Sequence, residues 1–162
     1  MTRELLFDPV QLVRRAEAMT RSTPVADLPD LLDRLAKPEG SVTWTIVGDP
    51  SVEGRMQFKL HLKANLELMC QRCLGELPWA VDETRTFVLY TDEDSMPSLE
   101  DEPDDVESLW VQGPVNALDL VSEELLLALP MMALHDSETC HATAEAQTPV
   151  KANPFAVLKG LK

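Results

Sequence analysis

The chain has 162 residues, 44% of them apolar, with a net charge of −14. That length suits one domain with a core of its own, and so acidic a balance excludes a general nucleic-acid binder, whose phosphate contacts need clustered Lys and Arg. The longest apolar-rich run, residues 125–134, is about half of the ~20 residues a membrane helix needs and contains Pro130, so no membrane partner is expected.

Asp8 and Pro9 predict a helix start: Asp8 can cap, Pro9 suits the first helical position, and Gln11 follows three after the cap. Val10, Leu12, Val13, Ala16 and Met19 then recur at helical spacing, predicting an amphipathic helix over residues 9–19. Leu28, Leu31, Leu32 and Leu35 predict a second over 27–36, stopped by Pro38. From residue 41 the period drops to two: Val42, Trp44 and Ile46 alternate with Thr43, Thr45 and Val47, which predicts a strand, and Gly48-Asp49-Pro50 reads as a turn.

Residues 55–68 hold the cleanest pattern. Met56, Phe58, Leu60, Leu62, Ala64, Leu66 and Leu68 take the even positions; Arg55, Gln57, Lys59, His61, Lys63, Asn65 and Glu67 take the odd ones. Only a strand with one dry and one wet face explains this, and its length predicts a bulge or strong twist. A returning strand is expected over 77–90, making an antiparallel hairpin with Cys70 and Cys73 at its tip. Residues 92–107 hold nine acidic residues and no basic one, so the rest of the chain carries only −5; this stretch is expected to be a mobile loop. A short edge strand at 108–111 follows, then a helix over 116–129 capped by Asn116 and ended by Pro130. Residues 141–151 read as a linker, and Asn153-Pro154 opens a short tail helix carrying Phe155, Leu158 and Leu161. The expected fold is α+β in a single domain over 1–162: an antiparallel sheet, as a meander or partly closed barrel, with N-terminal helices, one long helix and a short C-terminal one.

Cys70 and Cys73 flank two residues, and His135, Cys140 and His141 return some sixty residues later. A Cys-x-x-Cys turn can hold two sulfurs at tetrahedral separation, and zinc favours thiolate and imidazole. The spacing predicts a structural zinc site of Cys70, Cys73, Cys140 and either His135 or His141. Two other readings stand beside it: ordinary thiols on a hairpin, and a redox pair, in which Arg72 would lower a thiol pKa. The redox reading wants the pair at a helix start, and here it lies between strands. Three cysteines cannot all pair internally, which with the lack of a leader pattern predicts a reducing, cytoplasmic setting.

Arg55, Lys59, His61 and Lys63 share the wet face at ~7 Å steps and could follow a phosphate backbone. An ordinary solvated face is the simpler account of them, and aromatics for base stacking are scarce. The tail helix either folds back or binds another protein. No Gly-rich phosphate loop, nucleophile elbow or zinc-protease helix is present, so neither catalysis nor a small-molecule substrate is expected.

Three stretches, Leu68-Met69-Cys70-Gln71-Arg72-Cys73, Glu123 through Pro130 leading to His135-Asp136-Ser137-Glu138-Thr139-Cys140, and Asn153-Pro154-Phe155-Ala156-Val157-Leu158, together with Leu6-Phe7-Asp8-Pro9, resemble the YceD family of large ribosomal RNA subunit accumulation proteins. The resemblance spans nearly the whole chain. It implies a bacterial cytoplasmic factor supporting synthesis, processing or stability of large-subunit ribosomal RNA, with no catalytic residue. Partners would be a ribosomal or ribosome-assembly protein, the RNA itself, or both. Candidate contacts are Arg55, Lys59, Lys63, Arg72, Phe155 and Leu158. An RNA-processing enzyme, or a redox-responsive binding protein, is the alternative.

Overall fold

The computed structural model describes residues 4–50, 54–98, 100–101, 103–136 and 140. The expected linker and tail helix, with His141, Phe155 and Leu158, lie outside these residues.

Asp8 caps helix α1 (Pro9–Arg14) by accepting from the Gln11 amide at 3.0 Å, while the Gln11 side chain donates back to Asp8. The helix is shorter than predicted. Arg15 is its C-cap, and Ala16 turns the chain at φ 49°, the left-handed region that ends a helix. Strand β2 (Ala18–Pro24) then begins, and its Thr and Ser residues suit an edge strand better than a helix. Met19 therefore pairs across from Ile46 in a sheet.

The second expected helix is also cut short. A 3-10 turn at Val25–Asp27 precedes a single-turn helix α2 (Pro29–Leu32). The following backbone is drawn to the sheet: Ala36 N–H donates to Glu67 and Met69 N–H donates to Arg34. Leu28, Leu31 and Leu35 are buried as the stripe predicts, but Leu32 is exposed.

Strand β3 (Ser41–Pro50) runs straight through the expected turn, with Gly48 opposite Phe58 and Pro50 opposite Met56 on strand β4 (Met56–Met69). Strand β5 (Glu76–Tyr90) returns antiparallel, in unbroken register from Gln57↔Val88 to Met69↔Glu76. No bulge interrupts β4 on either side. Its even positions from Phe58 to Leu68 are all buried, each large apolar side chain contributing about 1.5–3 kcal/mol. Trp44 lies opposite Leu62, and its buried indole N–H donates to Thr23 at 2.9 Å. Phe58 stacks on Phe87 at 5.0 Å and meets Phe7 edge-on at 6.1 Å.

Strand β6 (Glu107–Trp110) closes the order β2-β3-β4-β5-β6 and runs parallel to β5. The sheet is thus mixed and open, a meander with a parallel edge rather than a partly closed barrel. Within the acidic stretch, Glu93–Ser95 forms a 3-10 turn, and Glu107 belongs to β6. Strands β1 (Leu6–Phe7) and β7 (Val115–Asn116) make a separate pair. Asn116 then caps helix α3 (Ala117–Ala128): its side-chain oxygen accepts from Leu118 N–H at 3.3 Å and from Leu5 N–H at 3.0 Å, tying the N-terminal strand to the helix.

Gly48 is where α1 crosses the sheet. A Cβ there would lie 2.8 Å from the Leu12 carbonyl carbon and Val13 Cα, both backbone. Gly48→Ala is expected to lower stability by about 3 kcal/mol, since the helix itself must shift. Gly113, with nothing within 4 Å of its added Cβ, is the control. Urea midpoints read both; a Gly48→Ala midpoint equal to wild type would refute the close crossing.

Candidate metal centre

The hairpin tip is built by its own hydrogen bonds. Cys70 N–H donates to Gly75 at 2.9 Å, and Leu74 N–H donates to Cys70 at 2.8 Å. Leu74 sits at φ 59°, a conformation that costs a non-glycine residue about 1–2 kcal/mol. Beyond α3, Leu129 and Pro130 turn the chain back to this tip, where Gln71 N–H donates to Ala133 at 2.9 Å.

That docking brings His135 onto the cysteines. Its backbone N–H donates to Cys70 Sγ at 3.5 Å, and its Nδ1 lies 3.3 Å from Cys73 Sγ. Cys140 joins them, so that one ligand atom from each of Cys70, Cys73, His135 and Cys140 lies within 4.8 Å of every other. Cys70 and Cys140 are buried; Cys73 and His135 are half-buried. All three cysteines are thiols. His135 stands in the cluster; His141 lies outside the described residues.

The donor set fits a four-coordinate zinc. Tetrahedral bonds of ~2.3 Å to sulfur and ~2.0 Å to nitrogen separate ligand atoms by roughly 3.5–3.8 Å, so a small contraction of the cluster suffices. Nε2 lies 2.7 Å from the Glu76 carbonyl, which can only accept, so Nε2 carries a proton and Nδ1, facing the sulfurs, is the nitrogen a metal would take in place of a proton. The same bond is the chief reason that the His135 pKa is raised, against the lowering effect of burial. Burial pushes the Cys70 thiol up, but the backbone N–H groups of Cys73, His135 and Arg72 outweigh it and bring the pKa down to about 6. Arg72 acts here through its amide. At Cys73 the Gly75 N–H lowers the pKa, yet burial together with the neighbouring Cys70 and Cys140 thiols leaves it raised. Gly75 packs closely here: an added Cβ would sit 3.3 Å from Cys73 Sγ, so the sulfur would have to give way slightly. Such a closed site of four protein ligands supplies cross-linking rather than a reactive position.

The basic stripe is a separate surface. Lys63 lies seven residues before Cys70, about 23 Å along the extended chain. Lys59 and Lys63 are exposed, and Arg55 is exposed just ahead of the strand. Each lysine leans on a carboxylate, Lys59 on Asp49 at 4.0 Å and Lys63 on Asp82 at 3.8 Å. His61 meets Asp82 at 2.7 Å, the main reason that this carboxyl is held below its usual pKa. A phosphate backbone would have to displace those carboxylates.

One titratable cluster has no counterpart in the sequence reading. Glu124 on α3 is 4% exposed, and its Oε2 has no hydrogen-bond partner. Arg85 Nε lies 3.6 Å away. Burial first, then the negative charge of Glu107 on β6, raises the Glu124 pKa to about 7 against the pull of Arg85.

The model of the large ribosomal RNA subunit accumulation protein YceD family matches residues 58–162, which contain most of β4, all of β5 and α3, and all four clustered residues. A Haemophilus influenzae protein described as large ribosomal RNA subunit accumulation protein YceD is 30% identical over 145 residues, 81% of this chain and 82% of its own. No solved structure matches the chain. Among the described residues no helix is long and apolar enough to cross a membrane. With the family model covering most of the chain and a relative aligned along four-fifths of it, the chain belongs to the YceD family of large ribosomal RNA subunit accumulation proteins.

Proposed function

We propose that this protein is a non-catalytic factor of the bacterial cytoplasm that supports the synthesis, processing or stability of large-subunit ribosomal RNA. It acts by holding a ribosomal or ribosome-assembly protein, the RNA, or both. The observation that carries this reading is the family match over residues 58–162. The cluster is consistent with it: three thiols and one imidazole give a metal four protein ligands, a scaffold rather than a reaction centre. In this reading zinc joins Cys70, Cys73, His135 and Cys140, fastening the hairpin tip to the chain beyond α3. The exposed Arg72 on that tip, with Arg55, Lys59 and Lys63 on the sheet, supplies basic contacts, and the acidic residues 92–107 face a basic partner.

Deleting the gene should lower large-subunit relative to small-subunit ribosomal RNA in growing cells. Wild-type protein should restore the ratio, and a Cys70→Ser, Cys140→Ser double variant should not. An unchanged ratio overturns the reading. Turnover of precursor RNA by the purified protein, lost in His135→Ala, would replace it with the enzyme alternative.

A further inference from the structure

An apolar cavity of about 230 Å³ opens beside the cluster, between the end of α2, the hairpin tip and the chain after α3. Leu68, Met69, Leu74, Leu129, Pro130 and Ala133 provide its apolar lining. Large apolar side chains stand uncovered on this side of the molecule: Leu74 is 71% exposed and Met131 is 91% exposed. Leu74 is the more telling. Glycine or asparagine would hold its left-handed backbone at less cost. The turn's own hydrogen bonds hold that backbone, while its side chain gains little cover from the described residues. Apolar groups set this way around a cleft mark a binding surface.

The chain itself holds an occupant. Cys140, the last described residue, has its sulfur within 4.8 Å of Cys73 Sγ, and Leu74 is the next residue along. Twenty-two residues follow, to Lys162. The twelve from 141 to 152 are small and polar and reach about 40 Å when extended, far more than the gap requires. A tether of that length holds the next segment at roughly millimolar effective concentration. That segment carries Phe155, Val157 and Leu158. Charge favours docking onto the rest of the chain as a whole, the cavity itself being lined by one acid and one base, Asp33 and Arg34. Residues 149–162 bear three lysines and no acid, so with −14 overall the rest of the chain carries −17.

We propose that residues 153–158 of this chain dock into the cavity beside the metal centre, with Phe155 and Leu158 against Leu74 and Met131. The contact is intramolecular and does not depend on the ribosomal reading. The apolar tail residues then cover the protein's own body rather than a partner.

The test uses the full-length chain with p-benzoylphenylalanine at position 155, a photoreactive aromatic that inserts readily beside methionine. Irradiation at low concentration should give a cross-link within one chain to Met131, Met132 or Leu74, with a yield independent of dilution. Met131→Glu, a change at a side chain the described residues leave exposed, should cut the yield about tenfold by removing one apolar contact. Cross-links only between chains would assign the cavity to a second copy and overturn the proposal. Cross-links to another face, or none, would also overturn it, as would a yield unaffected by Met131→Glu.

Discussion

Cys70→Ser is expected to lower the stability of the zinc-loaded protein by about 4 kcal/mol, the contribution of a ligand present at a thousand times its dissociation constant. Cys70 is the keystone of the cluster. It is fully buried and receives N–H groups from Arg72, Cys73 and His135. Those amides stabilise a thiolate, which is the form a metal needs. A serine hydroxyl keeps the volume but neither ionises at neutral pH nor binds zinc as a soft donor. Packing alone would predict a smaller loss, insensitive to metal. The discriminating measurement is therefore paired: urea unfolding of wild type and variant, each with and without a strong chelator. Chelation should bring wild type down to the variant and leave the variant unmoved. A variant that loses as much stability after chelation as before would show a packing role only. The core of β3, β4 and β5 is extensive, so the sheet should persist while the segment after α3 comes loose.

Glu124→Gln is expected to stabilise the protein by about 2 kcal/mol at pH 8 and to change little at pH 4.5. The Glu124 pKa rises from 4.5 to about 7 in the folded state, first because the carboxyl is buried and next because Glu107 is near. A raised folded-state pKa contributes stability below pH ~4.5, where both states hold the proton, and loses it progressively as pH climbs to ~7. The full shift at ~1.4 kcal/mol per unit would exceed 3 kcal/mol; the share borne by Glu107 and the half-exposed Arg85 reduces it to about 2. A neutral glutamine keeps the shape, offers its carbonyl to Arg85 and its amide to Glu107, and removes the titration. Denaturation midpoints of both proteins between pH 4.5 and 8 read the difference. Curves that stay parallel over that range would refute a buried, proton-holding carboxyl.

The long ribbon was legible because β4 writes its two faces in strict alternation, and burial follows the even positions residue by residue. The cysteine tip followed from it, and the helix after Asn116 was legible from its cap and from Pro130 at its end. The N-terminal helices were misjudged for one reason: the apolar spacing that suits a helix also suits short turns whose backbone is claimed by a neighbouring strand. Ala16 at positive φ, and the bonds from Ala36 and Met69 across to β4, are tertiary choices with no local signature. Gly48 looked like a turn residue because glycine usually marks turns, whereas here it makes room for a crossing helix. Gathering His135 and Cys140 to the tip depends on how α3 returns the chain, which spacing alone could suggest but not fix. Glu124 was visible in principle: it lies three residues after Val121 on the buried side of the helix, where an acid is out of place.

Metal analysis of the full-length protein, purified without added zinc and without chelator, tests the account most directly. One zinc per chain is the predicted result, with the ion lost from a Cys70→Ser, Cys140→Ser double variant. A fully folded wild-type protein with no bound metal, and no tighter folding when zinc is supplied, would contradict it.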